Sequence, residues 1–309
     1  MFPPVLVIAG PTASRKSAVA MALAERCQGA IVNADSQQVY EGLPILTAQP
    51  SLAEQKKCPH FLFGVRPPSL RLSAWEWVQQ AVAVLSTLLA DGVQPILVGG
   101  TGFYLKTLME GLSPIPLLTP EQRTATEERL AKEGASALWH ALSQVDPESS
   151  AHIGCSDAYR LTRAWAIFEQ TKIPYSQWKR QPREKLGQDL TYHVIGFLPA
   201  ERQKLYDVIN GRFVSMVQEG GMEEVKALRC DEGYQEFPAY QALGVAALDQ
   251  YLSGLCSWED AIKQGQQHSR QYAKRQLTWF RHQQLFQKIL DPVAPGRSLA
   301  SLVSEIVLA

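Results

Sequence analysis

The sequence predicts an α/β fold: a P-loop parallel-sheet core flanked by helices, interrupted by a small all-helical insertion domain. Three observations carry that expectation. Apolar runs of strand length recur, and each ends in a glycine-rich or polar loop with a helical pattern behind it. The first of those loops has the spacing of a phosphate-binding turn. Between residues 117 and 189 the buried-strand patterns vanish and amphipathic helical ones take their place.

Val5–Ala9 (VLVIA) is a continuous apolar run ending at Gly10, as expected of a strand covered on both faces of a parallel sheet. A helix is expected over Ala18–Arg26, and a second strand begins at Ala30–Val32, ending in Asn33-Ala34-Asp35-Ser36. Trp75–Ala90 has helical periodicity and stops at Asp91-Gly92. Pro95–Val98 (PILV) is a third buried strand, running into Gly99-Gly100-Thr101-Gly102 and a further helix. Helical segments follow at 120–133, 136–142 and 157–170, then an exposed linker at Lys179–Gln188. Thr191–Phe197 reads as a strand returning to the sheet, and Glu201 to Leu290 reads as mostly helical. The expected domains are therefore 1–116 with 190–309 as the catalytic core, and 117–189 as the insertion.

The chain has 309 residues, 46% apolar and 19% charged, a balance that fits a packed core and excludes a disordered chain. No apolar run reaches the ~18 residues of a membrane helix, so no membrane association is expected. Met1–Gly10 lacks the basic start of a secretory signal. Five scattered cysteines without a CxxC pair favour reduced thiols and a cytoplasmic location over a disulfide or zinc framework. Thirty basic residues balance thirty acidic ones, so any nucleic-acid contact has to come from local clusters. The clearest cluster is Ala261–Leu290, expected as one helix: Lys263, Arg270, Lys274, Arg275, Arg281 and Lys288 stand there without an acid, interleaved with Tyr272, Trp279 and Phe280. Helical spacing also puts Tyr272, Gln276 and Trp279 on one side, where they serve equally well as core.

Gly10-Pro11-Thr12-Ala13-Ser14-Arg15-Lys16-Ser17 matches GxxxxGK[ST] at every defined position but one. Such a loop cradles phosphate with successive backbone N–H groups and a helix N-terminus, adds a lysine counter-charge, and offers a hydroxyl (Ser17) to Mg²⁺. Nucleotide (ATP) binders share this loop class. Arg15 replaces the second glycine. With φ > 0 there, its side chain costs roughly 1–2 kcal/mol, and its bulk stands close to where phosphates sit. Its guanidinium also suits phosphate geometry. A chance strand–turn–helix, or a degenerate loop that folds but grips phosphate poorly, are the alternatives.

Further motifs narrow the reading. Asp35-Ser-Gln-Gln38-Val-Tyr40 follows the second strand and Gly99-Gly-Thr-Gly102-Phe-Tyr104 the third. With Gly10-Pro-Thr-Ala-Ser, Thr47-Ala-Gln-Pro50, Pro59-His60, Arg160, Arg163-Ala164, Leu205-Tyr206, Arg212, Gln241-Ala-Leu-Gly244 and Tyr272-Ala-Lys-Arg-Gln-Leu-Thr-Trp-Phe-Arg281, the sequence resembles the tRNA dimethylallyltransferase (isopentenyl-tRNA transferase) family over residues 3–285. It departs from the family pattern at Arg15, Leu46, Gln49, Tyr159, Val245 and Ala246.

The resemblance implies transfer of a dimethylallyl group from dimethylallyl pyrophosphate to N6 of adenine 37, beside the anticodon of tRNA. It implies Mg²⁺ as cofactor, tRNA as partner, and a monomer. Asp35 would be the base that the poorly nucleophilic amine needs. Thr101 would reach the bridging oxygen or the amine, and Arg212 would grip pyrophosphate together with the 10–17 loop. The resemblance assigns tRNA contacts to Asp35, Ser36, Gln37, Gln38, Arg123, Tyr159, Arg160, Leu161, Thr162, Arg163, Gln241, Gly244, Arg270, Lys274 and Arg275. Gln38 would read a base edge by paired hydrogen bonds, and the target adenine would leave its stack. Each role has a plainer counterpart: a capping Asp35, a turn Thr101, a surface Arg212, ordinary solvated cations on the insertion. Two other functions remain open at this point. A small-molecule P-loop kinase would bring an arginine-rich lid and a tight GxxGxGK loop, and that glycine pattern is absent. A tRNA-binding relic would have lost catalysis through Arg15.

Overall fold

A computed structural model of the chain describes residues 3–307; Met1, Phe2, Leu308 and Ala309, which fall in the expected core segments, lie outside the described residues. The apolar runs pair with one another. Strands β1 (Val5–Ala9), β2 (Ala30–Asn33), β3 (His60–Phe61), β4 (Pro95–Gly99), β5 (Tyr192–Phe197) and β6 (Lys288–Leu290) form one sheet in the order β3-β2-β4-β1-β5-β6. Every neighbouring pair is parallel. Helices α1 (Lys16–Cys27), α2 (Leu52–Gln55), α3 (Ala74–Ala90) and α4 (Gly102–Glu110) follow the first four strands or precede the next. The insertion carries α5 (Pro120–Val145), α6 (Pro147–His152), α7 (Ala158–Thr171) and α8 (Tyr175–Arg180). After β5 come α9 (Arg202–Met216), α10 (Met222–Leu228), α11 (Val245–Leu252), α12 (Trp258–Arg281) and α13 (Leu299–Val307).

Both faces of the sheet are covered, which is why its strands read as unbroken apolar runs rather than alternating ones. Val5, Val7, Val32, Leu97 and Val194 face a core with Trp77 and Leu85 of α3 and Leu105 of α4. Ile8, Ile31, Ile96 and Ile195 face a second core with Val19 and Leu23 of α1 and Leu302 and Ile306 of α13. Helix α3 starts where the sequence provides a capping box, Ser73 accepting from Glu76 N while the Glu76 carboxylate accepts from Ser73 N. With all strands parallel, their carboxyl ends share one edge. The loops after β1, β2 and β4 meet there, and such an edge is where open α/β sheets place ligands.

Helices α9, α11 and α12 close together around Phe213. A Cβ on Gly244 (φ +90°) would lie 2.4 Å from its ring, and one on Gly265 would lie 2.1 Å away. Phe213 is thus held between two glycines, each from a different helix contact. Gly244, expected to touch tRNA, is buried here as a packing and turn residue.

The chain divides into two compact units, Met1–Met109 with Leu186–Ala309, and Glu110–Lys185. In the second unit α5 is two helices merged across Gly134 (φ 82°, ψ 162°), which accounts for the two helical patterns read at 120–133 and 136–142. Leu138, Leu142, Leu161, Ala164 and Trp165 make its core. The unit opens before residue 117 because Leu112 and Glu184 pair as an antiparallel bridge, a contact that leaves no periodicity to read. The stretch read as a linker from Lys179 begins as the last turn of α8.

One element differs more. The basic segment expected as a single helix over 261–290 ends at Arg281. Gln287 then forms reciprocal contacts with Val194, its N–H to Val194 O at 3.0 Å and its side-chain Oε1 from Val194 N at 2.6 Å. Lys288–Leu290 adds the edge strand β6 to β5. Lys288 therefore belongs to the sheet, and its Nζ donates to Glu305 O at 2.8 Å.

Gly265→Ala is expected to lower stability by about 1–3 kcal/mol, because the buried Phe213 ring has no direction in which to yield. Thermal unfolding reads this as a lower Tm; an unchanged Tm would mean the ring has room on its Gly244 side.

Candidate active site

A cavity of about 370 Å³ opens at the carboxyl edge of the sheet, and the 12–17 loop, Asp35, Gln37, Gln38, Arg212 and Tyr272 are among its walls. The loop after β1 is shaped as an anion cradle. Ala13 (φ 62°) and Arg15 (φ 63°) are both left-handed, and α1 begins at Lys16 immediately afterwards. A left-handed residue leading into a helical one turns successive N–H groups toward one point. Arg15 thus takes the conformation in which a non-glycine residue costs roughly 1–2 kcal/mol. Its bulk, however, leaves the cradle: the exposed guanidinium donates to Arg297 O at 3.0 Å and to Pro292 O at 3.4 Å. The guanidinium is thereby committed to residues 292 and 297, which removes the ground for reading the loop as disabled by its bulk.

Lys16 is buried and reaches back over the loop, donating to Pro11 O and to Ser14 Oγ (3.5 Å). Ser14 in turn donates to Pro11 O at 2.8 Å. Burial pulls the Lys16 ammonium down to about 8, with Asp35 opposing that fall and Arg212 adding to it. Burial likewise pushes the Asp35 carboxyl up from its ordinary value, against the N–H of Gln37 and the charges of Lys16 and Arg212. Arg212, on α9, is drawn down by burial and supported by Asp35. The three groups expected to act together therefore feel one another across the cavity.

Asp35 is placed by the end of β2. Asn33, fully buried, accepts from Asp35 N (2.8 Å) and donates to Asp35 O (3.0 Å) and Leu62 O (2.9 Å). The Asp35 Oδ1 atom accepts from Gln37 N at 3.0 Å. Trp77, stacked on Tyr104 at 4.5 Å, donates its indole N–H to Asn33 O.

Thr101 has local partners within the protein. Its Oγ1 accepts from Ser36 N (2.8 Å) and donates to Ser36 Oγ (3.0 Å), so it fastens the turn that carries Asp35. The Tyr272 hydroxyl joins the same pair, and burial raises it far above the usual phenol range. Tyr272 is accordingly a cavity wall rather than an outward stacking platform. Phe280 is core, and Trp279 covers Gly102, where a Cβ would lie 2.1 Å from its ring.

Gln38 does not offer a paired amide. Its Nε2 donates to both Thr47 O (2.9 Å) and Ala48 O (2.7 Å), leaving only Oε1. Gln37 also lines the cavity, and its Oε1 atom is buried without a protein partner.

Three positioning residues were given no role by the sequence reading. Gln276 of α12, buried, accepts from Thr12 N (2.8 Å) and donates to Gly100 O (2.9 Å), joining the phosphate loop to the turn after β4. Its signals were its place inside the Tyr272–Arg281 motif and its standing as an amide beside Tyr272 and Trp279 on one side of the helix. The buried Glu224 carboxylate accepts from Ile45 N (2.6 Å) and Leu46 N (2.9 Å), holding the segment that lines the cavity from Leu46 to Gln49. Asn33 is the third. Glu224 resembles any acid in a first helical turn, so nothing local marks it.

Of the expected tRNA contacts, Arg123, Tyr159, Arg160, Gln241, Lys274 and Arg275 are exposed. Arg163 is half-buried, and so is Thr162, whose hydroxyl donates to Ala158 O. Leu161 is fully buried in the core of its unit, so its side chain packs and does not contact a partner. Arg270 is half-buried and donates to Asn210 Oδ1 at 2.6 Å, bracing α12 against α9.

The family model described as IPP transferase matches residues 38–283. A tRNA dimethylallyltransferase from Rhodospirillum centenum is 41% identical over 292 residues, 94% of this chain and 92% of that protein. The crystal structure of a tRNA isopentenylpyrophosphate transferase from Bacillus halodurans superposes with a TM-score of 0.68 at 32% identity, covering 98% of this chain and 95% of that one. A eukaryotic dimethylallyltransferase acting on tRNA shares the fold, with a TM-score of 0.78 at 23% identity over 99% of this chain and 79% of that one.

Glu224→Ala is expected to cost about 1–3 kcal/mol by leaving two backbone N–H groups unpaired. Hydrogen exchange at Ile45 and Leu46 should speed up while the strands stay protected; unchanged exchange there would remove Glu224 as the clamp.

Proposed function

The chain belongs to the IPP transferase family, and from that premise we propose that it moves a dimethylallyl group from dimethylallyl pyrophosphate to the exocyclic N6 of an adenine beside the anticodon of tRNA. The observation that carries this reading is the shared cavity of Lys16, Asp35 and Arg212: an anion cradle on one side and a carboxylate on the other. Pyrophosphate leaves with the electron pair of the C–O bond, and charge grows on its oxygens as that bond breaks. The loop amides, the Lys16 ammonium and Arg212 are the groups that would stabilise such charge. As N6 bonds to the allylic carbon it must lose a proton, and Asp35 is the carboxylate positioned to accept it.

Mg²⁺ fits the donor set in one way. No trio of His, Cys, Asp or Glu able to hold an ion gathers among the described residues. Ser17, exposed in the first turn of α1 on the cavity wall, offers a single hydroxyl. An ion bound here would take most of its oxygens from the diphosphate and water, as Mg²⁺ commonly does. It would neutralise charge on the departing group.

Exposed cations and Tyr159 on the insertion, together with Lys274 and Arg275 on α12, are the surfaces that would meet tRNA phosphates and bases. No helix among the described residues is long and apolar enough to cross a membrane. A monomer is sufficient for this reading, because Asp35, the loop and Arg212 come from one chain.

Transfer of labelled dimethylallyl pyrophosphate to unmodified tRNA with Mg²⁺ tests the function directly; no transfer under saturating substrates would overturn it. Asp35→Asn is expected to reduce turnover by about 10²–10⁴-fold with tRNA binding kept. Retained turnover would assign the proton to another group.

The pH profile follows from two opposite shifts. Asp35 works deprotonated, and burial has raised it, so kcat/KM for the prenyl donor should fall on acidification at a pH above the ordinary carboxylate value of about 4. Lys16 works protonated, so the same parameter should fall as pH rises through about 8. Lys16→Arg should remove the alkaline limb and leave the acid limb in place; a limb unmoved by that change would belong to a different group.

A further inference from the structure

The phosphate loop is tied to the far end of the chain through the residue that breaks its motif. Arg15 sits left-handed (φ 63°, ψ 11°) at the start of α1, and its Nη1 atom meets the carbonyl oxygens of Pro292 and Arg297. That acceptor segment is itself secured. Asp291 Oδ1 accepts from Val293 N at 3.0 Å, and Arg297 pairs with Glu305. Lys288 Nζ holds Glu305 O from the β6 side. Beyond it α13 buries Leu302, Val303 and Ile306 in the same core as α1.

A glycine in a P-loop reaches the left-handed region by its own freedom. Arginine has no such freedom, and a side chain there favours relaxation to the right-handed region, which would turn the Arg15 and Lys16 N–H groups away from a common point. We propose that residues 291–297 brace the phosphate loop through the Arg15 guanidinium, keeping its amides in the pyrophosphate-binding arrangement. Arg15 is then a positioning residue whose side chain acts from outside the cradle. The inference rests on the proposed function only in assigning pyrophosphate to this loop.

The brace and simple tolerance of arginine differ in what other side chains at position 15 do. Alanine keeps the left-handed strain and removes the tie. Glycine removes both, so it no longer needs the brace. Arg297→Ala keeps Arg15 but frees the acceptor segment from Glu305.

Binding of inorganic pyrophosphate with Mg²⁺ to the full chain, followed by calorimetry, reads the loop without requiring turnover. Arg15→Ala is expected to weaken binding by about tenfold, the scale of one charge-assisted hydrogen bond. Arg15→Gly should recover most of that loss. Arg297→Ala should weaken binding in the wild-type background and have no effect in the Arg15→Gly background. In kinetics the loss should appear in KM for the prenyl donor, with KM for tRNA unmoved. Wild-type affinity in Arg15→Ala overturns the brace. Equal losses in Arg15→Ala and Arg15→Gly with a silent Arg297→Ala would place the guanidinium on the phosphate and also overturn it. If the wild type fails to bind pyrophosphate while still binding tRNA, the phosphate assignment of the loop falls, and the brace with it.

Discussion

Three ionisable groups share one poorly solvated cleft, and the Asp35 carboxylate is the charge that supports both cations. Burial pushes Asp35 toward its neutral acid and Lys16 toward its neutral amine. The attraction between them opposes both shifts, and Arg212 extends the same logic from α9. The rest of the core can be seen as the means of delivering these groups to one place. Parallel strands bring their carboxyl ends to one edge, and the loops after β1 and β2 carry Lys16 and Asp35 there. Packing of α9 on α12 brings Arg212 to the opposite wall.

Charge alone would not hold such an arrangement, because repulsion between Lys16 and Arg212 works against it. Neutral hydrogen bonds supply the rigidity. Asn33 fixes the backbone of Asp35, Thr101 and Ser36 fasten the following turn, and Gln276 spans the loops after β1 and β4. Glu224 does the same for the facing wall through two amides. Each is a side chain that meets backbone, so its geometry is set by the fold rather than by whichever molecule occupies the cavity. Preorganisation of this kind spares the active groups from reorienting as charge develops.

Much of this was legible in the sequence where chemistry and periodicity coincide. Val5–Ala9 followed by the phosphate loop had to be strand, turn and helix, and Asp35 at the end of an apolar run had to stand at the same edge. The two-residue β3 and the edge strand β6 were not legible, since short strands have no period and take their partners from elsewhere in the chain. Lys288 illustrates the difficulty: it continues a run of basic residues, yet a polar contact between Gln287 and Val194 ends the pattern before it. Gln276 and Glu224 act through partners more than 170 residues away, a relation no local spacing encodes. Leu161 lay inside a stretch read as contact surface, but on α7 it falls on the apolar stripe, and the fold buries that stripe first.

Gln38 gives the cavity a polarity that its composition does not. An amide normally shows a donor and an acceptor side by side and can flip to suit either partner. Here both N–H groups are engaged by Thr47 and Ala48, so the flip is closed and a lone acceptor remains. An acceptor fixed in this way welcomes a donor and sets its lone pair against another acceptor, whatever molecule enters the cavity. The amide held by the 47–48 loop thus becomes a one-bit filter, its sense set by the protein and not by the visitor.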